Sequence, residues 1–298
     1  YAEDEYFLYR DYLSHCVKGN FKDMKIVLDT ANGAAYRAAK DVFLDLRAEL
    51  VVINDAPNGR NINVKCGSTH PEILAKVVVG YEADLGLAYD GDADRLIAVD
   101  KFGNIIDGDK IIGILALGMK NAGTLKNDKV VTTVMSNIGF YKAVEEHGMQ
   151  SVKTSVGDRY VVEEMRNNNY SLGGEQSGHI ILMNYATTGD GILTAVKLAD
   201  IIKTTGKSLK ELADEVNIYP QKLVNIKVTD KKIAMEDKEI LEECEKVEKE
   251  LEGNGRILLR ASGTENLIRV MVEASSDELT DKYCEQVAKS VREKYEVK

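Results

Sequence analysis

The stretch KIVLDTANGAAYRAA, residues 25–39, is nearly written a second time as KVVTTVMSNIGFYKAV, residues 129–144. Each is an apolar run, a turn opened by asparagine, and a segment of helical composition. Asn32 and Asn137 fall in register, as do Tyr36 and Tyr141, Arg37 and Lys142, and Ala38 and Ala143. The match is short, and coincidence is the alternative. The shared strand–turn–helix context favours duplication, and two copies of one unit must find the same kind of partner elements. ELVVIN and DLGLAYD read as further strands, the latter apolar enough to be covered on both faces as in a parallel sheet. The pattern is βαβ, repeated before and after about residue 108.

The character changes after Tyr219-Pro220. VNIKV reads as a strand, and MEDKEILEECEKVEKELEG as one amphipathic helix. Its stripe is Ile240, Leu241, Cys244, Val247, Glu248 and Leu251, and Gly253 is its stop. GRILLRASGTENLIRVMVEA reads as two strands around a loop, followed by a last helix with Asp277 as N-cap. A length of 298 residues suggests about two domains. The pattern divides it into three: 1–107, 108–220 and 221–298.

Composition limits the function. Hydrophobic residues make up 44% and charged residues 30%, a globular balance. The net charge of −10 argues against nucleic acid as a partner, and no apolar run is long enough for a membrane span. Cys16, Cys66, Cys244 and Cys284 lie far apart without zinc spacing, so free thiols and a cytoplasmic location are expected. The opening YAEDEYFLYRDYL lacks a methionine, and the expectation is a chain cut from something longer.

Four stretches carry the chemistry. In LGLAYDGDADRLIAVD, Asp90, Asp92 and Asp94 alternate behind an apolar run. An EF-hand is excluded, since Arg95 and Lys101 stand at its glycine and glutamate positions. The carboxylates offer hard oxygens to a divalent cation such as Mg²⁺, with Arg95 beside them for a phosphate. A solvated acidic turn is the plainer alternative. A phosphatase of the haloacid-dehalogenase type, with Asp90 as nucleophile, is another, although that family usually has Thr or Val at Asp94.

In LGGEQSGHIIL, Glu175, Ser177 and His179 alternate, so an extended segment would present them on one side, with glycines admitting a ligand. Glu175 and Ser177 suit sugar hydroxyls or an amine, and His179 suits proton exchange. An ordinary glycine-rich strand entry with a buried histidine fits equally. In LLRASGTENLIRV, Arg260, Ser262, Gly263 and Thr264 in a strand-to-strand loop, with Arg269 pointing back, suit a phosphate dianion or form a polar hairpin. In SVGDRYVVEEM, Gly157, Asp158 and Arg159 form a ligand-facing turn, or Asp158 is only an N-cap.

D-G-D-x-D-R at 90–95, G-E-x-S-G-H at 174–179 and R-x-S-G-T at 260–264 together resemble the α-D-phosphohexomutase superfamily, in its order and spacing. The resemblance runs through essentially the whole chain. Within the superfamily, G-E-Q-S-G-H with V-G-D-R-Y-V is most similar to the bacterial branch acting on glucosamine phosphate, since other branches usually differ at Gln176. The implied fold is α/β: two related three-layer α/β domains followed by a small α+β C-terminal domain that closes over the cleft. The family's first domain carries a phosphorylated serine in a T-A-S-H-N-P-like motif, which these residues lack.

The resemblance also implies the roles. Asp90, Asp92 and Asp94 bind one Mg²⁺, Arg95 orients the phosphoryl group, and His179 lies near the reacting phosphate. Gly157, Asp158, Arg159, Glu175 and Ser177 line the sugar site. Arg260, Ser262, Gly263 and Thr264 grip the non-reacting phosphate. Ala261 and Asn266 depart from the family's usual prolines and are expected to change loop stiffness only. The implied reaction interconverts glucosamine 6-phosphate and glucosamine 1-phosphate through phosphoserine, with a sugar 1,6-bisphosphate as activator. The expected partner is a phosphorylated amino sugar, and a homodimer is left open. Without the serine this chain alone is expected to be inactive. The alternatives are a phosphomannomutase or phosphoglucomutase, an Mg²⁺-dependent phosphatase, and a non-catalytic sugar-phosphate binder.

Overall fold

The computed structural model describes residues 2–263 and 265–297. The order of elements is α1 (Ala2–His15), β1 (Lys25–Asp29), α2 (Ala35–Asp45), β2 (Glu49–Ile53), α3 (Glu72–Gly80), β3 (Leu85–Tyr89), β4 (Leu96–Asp100), β5 (Ile105–Ile106), α4 (Gly108–Asn121), β6 (Lys129–Thr133), α5 (Ile138–Glu146), β7 (Gln150–Thr154) and α6 (Asp158–Asn168). There follow β8 (Leu172–Gly174), β9 (Ile180–Leu182), α7 (Gly191–Thr205), α8 (Leu209–Asp214), β10 (Gln221–Lys227), α9 (Lys231–Glu236), α10 (Lys238–Glu250), β11 (Gly255–Ala261), β12 (Leu267–Ala274) and α11 (Asp277–Tyr295).

The repeated stretch produces repeated sheets. The first is ordered β2-β1-β3-β4-β5 and the second β7-β6-β8-β9, so four strands correspond one to one. β1 runs parallel to β2 and β3, and β6 runs parallel to β7 and β8. β4 and β9 are antiparallel to the strands before them. The sheets are therefore mixed and not wholly parallel, because a short hairpin connection can only turn the chain back. β3 and β4, LGLAY and LIAVD, are buried at every residue, as unbroken apolar strands should be.

The turn after β1 has a steric reason for its Asn-Gly pair. Ala31 and Asn32 adopt φ of 53° and 48°, and a Cβ on Gly33 would stand 2.5 Å from the Gly91 carbonyl oxygen. Gly91 in turn accepts the Ala34 N–H, so the start of α2 is fixed against the loop between β3 and β4. At the end of β1, the buried Asp29 carboxylate accepts from the N–H groups of Ala31 and Gly67 and from the Asn54 amide. Its burial is thus fully offset by hydrogen bonds.

The first two sheets belong to one compact unit, Tyr1–Ser136 with Phe140–Asn217. In it α4 packs on α7, and α1 packs on α2 and α7. The second unit, Asn137–Gly139 with Ile218–Lys298, contains the sheet β10-β12-β11, antiparallel throughout. Its core joins Ile226, Ile268, Val270 and Val272 of the sheet to Ile240, Val247, Cys284, Val287 and Val291 of the helices.

Three local expectations need correction in this second unit. The helix read over 235–253 is two helices broken at Asp237, whose carboxylate caps α10 by accepting from Glu239 and Ile240 N–H. The stripe on α10 is narrower than expected: Ile240, Val247 and Leu251 are buried, while Leu241 is 41% exposed and Glu248 reaches out to the Ile257 N–H. Ser276, and not Asp277, caps α11, because its hydroxyl is the group that accepts from Leu279 N–H.

Gly86 sits in β3 where a Cβ would meet Val78 Cγ2 at 2.5 Å and Leu74 Cγ at 2.9 Å. Gly86→Ala is therefore expected to lower stability by roughly 1–3 kcal/mol through overpacking against α3. Urea unfolding of both chains checks this through the midpoint at constant slope.

Candidate functional site

The acidic stretch is the turn of the β3–β4 hairpin, and the glycine-rich stretch is the turn of the β8–β9 hairpin. These are equivalent places in the two sheets, and they meet. Arg95 and His179 form an antiparallel bridge, and Leu96 N–H donates to Gly178 O at 3.0 Å. The approach requires glycine at 178, where φ is 93° and a Cβ would stand 2.3 Å from Leu96 O.

Within the acidic turn, Arg95 N–H donates to Asp90 Oδ1 at 3.2 Å. Burial, then the Asp94 carboxylate beside it, holds the Asp90 carboxyl above the usual carboxylate range; Arg95 partly opposes this. Asp94 Oδ2 lies 3.1 Å from His179 Nδ1, and Arg95 Nε lies 4.0 Å from Asp94 Oδ1. Among the described residues, Asp94 Oδ1, Arg95 Nε and His179 Nε2 are buried without hydrogen-bond partners. Asp92 is exposed and, with Asp94, borders a cleft of about 370 Å³. Among the described residues, no three His, Cys, Asp or Glu side chains already converge as a metal cage. Asp90 and Asp94 are brought together, and Asp92 stands apart. The donor set still fits a hard divalent cation: adjacent carboxylates in a half-buried turn, one oxygen free of hydrogen bonds, and a third carboxylate within the same turn.

The segment 175–179 is not extended. Glu175 N–H donates to His179 O and Gly178 N–H to Glu175 O, which closes a tight hairpin turn. The expected alternation of Glu175, Ser177 and His179 on one side fails, because the turn leaves Ser177 exposed at its tip and folds His179 in, 5% exposed. The neighbouring glycines serve the chain and not a ligand: a Cβ on Gly173 would meet Met165 Sδ at 2.5 Å.

Glu175 Oε1 accepts Gly157 N–H at 3.2 Å and so ties the hairpin to the turn before α6. Gly157 occupies the N-cap position with φ of 129° and no side chain, so the expected cap at Asp158 is replaced by the glycine. Asp158 opens the helix, with Oδ2 4.0 Å from His179 Nε2. Arg159 is exposed, its guanidinium over the Tyr160 ring.

In the second unit, Arg260 and Arg269 are register partners on β11 and β12. Residues directly opposite across antiparallel strands share a face, and like charges there are unfavourable without an anion. Among the described residues, Arg269 Nε is buried without a hydrogen-bond partner. Arg260 belongs to the strand, not to the loop as expected. Ser262 is 3% exposed, and its hydroxyl accepts Glu265 N–H, so it shapes the turn. Gly263 is exposed with open space where a Cβ would be, and Thr264 lies outside the described residues.

Two groups near the first site escaped the sequence reading. Gly189-Asp190-Gly191 precedes α7, and Asp190 caps it by accepting Leu193 N–H. A carboxylate between glycines before an apolar helix is a cap signal and could have been found. Asp107 caps α4 and also accepts from the Gln176 amide at 3.3 Å; a contact across 69 residues leaves no local trace.

Three family models match the chain. Residues 8–103 match the family model for phosphoglucomutase/phosphomannomutase, alpha/beta/alpha domain II. Residues 107–219 match alpha/beta/alpha domain III, and residues 223–290 match the C-terminal domain. The chain is 67% identical to phosphoglucosamine mutase of Fusobacterium nucleatum, over 97% of this chain and 64% of that protein. It is 56% identical to phosphoglucosamine mutase of Staphylococcus aureus, over 96% of this chain and 63% of the relative. It thus spans less than two thirds of the length of these relatives. Among solved structures, it resembles Aspergillus fumigatus N-acetylphosphoglucosamine mutase in complex with GlcNAc-6P and magnesium. That match has a TM-score of 0.76 at 21% identity, over 95% of this chain and 68% of the other.

Saturating Mg²⁺ should raise the melting temperature of this chain; at a hundred times the dissociation constant the gain is about 2.7 kcal/mol. Asp94→Asn removes a like charge from beside Asp90, so it should match or exceed the unmutated chain without Mg²⁺ and lose most of the Mg²⁺ shift. Thermal unfolding with and without the ion checks both statements.

Proposed function

This chain belongs to the phosphoglucomutase/phosphomannomutase family, and on that premise we propose that it supplies the metal, sugar and phosphate sites of a phosphoglucosamine mutase. The reaction is the interconversion of glucosamine 6-phosphate and glucosamine 1-phosphate. The observation that carries the reading is the meeting of the two hairpin turns, which sets Asp90, Asp94, Arg95, Glu175 and His179 in one place within a single compact unit.

In this reading the serine that carries the phosphoryl group lies outside these residues. The hydroxyl at one end of the sugar attacks the phosphoserine, the bond from phosphorus to the serine oxygen breaks, and a sugar 1,6-bisphosphate forms. Transfer of the other phosphate back to the serine completes the turnover. Asp90, Asp92 and Asp94 would hold Mg²⁺, which when bound neutralises charge on the transferring group. Arg95, whose Nε makes no hydrogen bond among the described residues and only a long ion pair to Asp94, would offer it to a phosphoryl oxygen.

His179 faces Asp94 through Nδ1, so with the proton on that nitrogen Nε2 is the basic atom available to the attacking hydroxyl. Glu175 keeps one carboxylate oxygen beyond the one engaged by Gly157 and would take a sugar hydroxyl or the amine, with Ser177, Asp158 and Arg159 bordering the same site. The paired Arg260 and Arg269, with Gly263 N–H in the adjoining turn, would grip the phosphate that is not reacting. The thiols of Cys16, Cys66, Cys244 and Cys284 are free, which accords with our placing the reaction in the cytoplasm.

The test is a coupled assay on the full-length protein that contains these residues, with Mg²⁺ and a trace of sugar bisphosphate. Turnover of glucosamine 6-phosphate at least tenfold more efficient than that of mannose or glucose 6-phosphate is expected. Arg260→Ala should lower kcat/KM roughly 10- to 100-fold, mainly through KM, the size of a lost charge-assisted hydrogen-bond pair. Equal turnover of the three sugars would overturn the substrate assignment, and an unchanged KM in Arg260→Ala would overturn the phosphate grip.

A further inference from the structure

Asp190 is the hinge point between the two halves of the site. The residue before it, Gly189, lies against the His179 imidazole so closely that a Cβ there would stand 2.4 to 2.7 Å from three ring atoms. The residue after it, Gly191, donates its N–H to Ala93 O at 2.9 Å, and a Cβ there would stand 2.4 Å from Arg95 O. The backbone on either side of Asp190 is thus a wall for the imidazole and a clamp for the acidic turn.

What fixes Asp190 comes from far along the chain. Its carboxylate is partly buried and accepts from Leu193 N–H at 2.9 Å and from the Tyr9 hydroxyl, which lies 2.9 and 2.8 Å from the two oxygens. Burial, then the Asp190 charge, pushes the Tyr9 phenol well above its ordinary range, so it remains a donor. Tyr89, the residue immediately before Asp90, is fully buried and feels the same charge. Removing the Tyr9 hydroxyl would leave part of a half-buried carboxylate without a donor, which the chain can relieve by moving Asp190.

We propose that Tyr9 and Asp190 are positioning residues: helix α1 braces α7 through this hydrogen bond and so sets the spacing between the His179 imidazole and the Asp90–Arg95 turn. The proposal deepens the metal and phosphate reading above and rests on it for its consequence, though the brace itself is tested without it. Tyr6 supplies the control. It lies on the same helix and also borders the cleft, but its hydroxyl donates to Asp41, away from the turn.

Amide hydrogen exchange on the 298-residue chain reads the brace directly. In Tyr9→Phe, the Gly191 and Leu96 amides should exchange at least fivefold faster, with the β6 amides unchanged. Tyr6→Phe should change neither. Unchanged protection at Gly191 and Leu96, or uniform acceleration across the chain, would overturn the proposal, since the latter is merely lost stability. Titration with Mn²⁺ then reads the consequence: at least threefold weaker binding in Tyr9→Phe supports it, and equal binding overturns the link to the acidic turn. Absence of Mn²⁺ binding by the unmutated chain would refute the metal assignment instead, while the exchange data still decide the brace.

Discussion

The Asp90 and Asp94 carboxylates occupy one hairpin turn, and the rest of the site is organised around keeping them there. Like charges brought this close repel, and burial together with the Asp94 charge holds the Asp90 carboxyl above its usual range. Within the turn, Arg95 opposes part of that repulsion. The sheet supplies the frame: β3 and β4 are buried along their whole length and pair in register up to the turn. The Arg95 N–H, the His179 imidazole and the Gly191 clamp each hold one part of the turn. For the proposed cation site this means that Asp90 and Asp94 already stand side by side, while the exposed Asp92 would have to move in.

The shared strand order of the two sheets accounts for the paired turns of the site. One α/β unit contributes a hairpin turn rich in aspartate, and the other contributes a hairpin turn with Glu175 and His179. Because the sheets have the same strand order, the two turns are the same structural position used for different chemistry. On a chain with a net charge of −10, the proposed phosphate contacts rest on local positive groups: Arg95 in one turn, and the cross-strand pair Arg260 and Arg269 in the other unit.

How much of this the sequence carried depends on the range of the interaction. The repeat was visible because Asn32 and Asn137 each stand between an apolar strand and a helix; the two turns themselves differ, since Asn32 has φ of 48° and is followed by Gly33, whereas Ile138 stands at the equivalent place after Asn137. Motif residues were visible as types. Their directions were not. Alternation suggested that Glu175, Ser177 and His179 share a side, but a five-residue segment between antiparallel strands must turn, and the turn exposes Ser177 while burying His179. Ser262 likewise carried the right chemistry and turned out to hold its own loop. The Tyr9–Asp190 contact spans 181 residues and has no periodic or local signature, so only the folded chain could disclose it.

The central claim is that the turn after β3 is a cation site built from its own carboxylates. A crystal of this chain grown with Mn²⁺, with anomalous differences collected at the manganese edge, tests it most directly. The account predicts one strong peak within coordinating distance of oxygens from Asp90, Asp92 and Asp94, with Asp92 drawn in from its exposed position. A peak elsewhere on the chain at full Mn²⁺ occupancy, with the Asp90 and Asp94 carboxylates left facing each other unbridged, would contradict it.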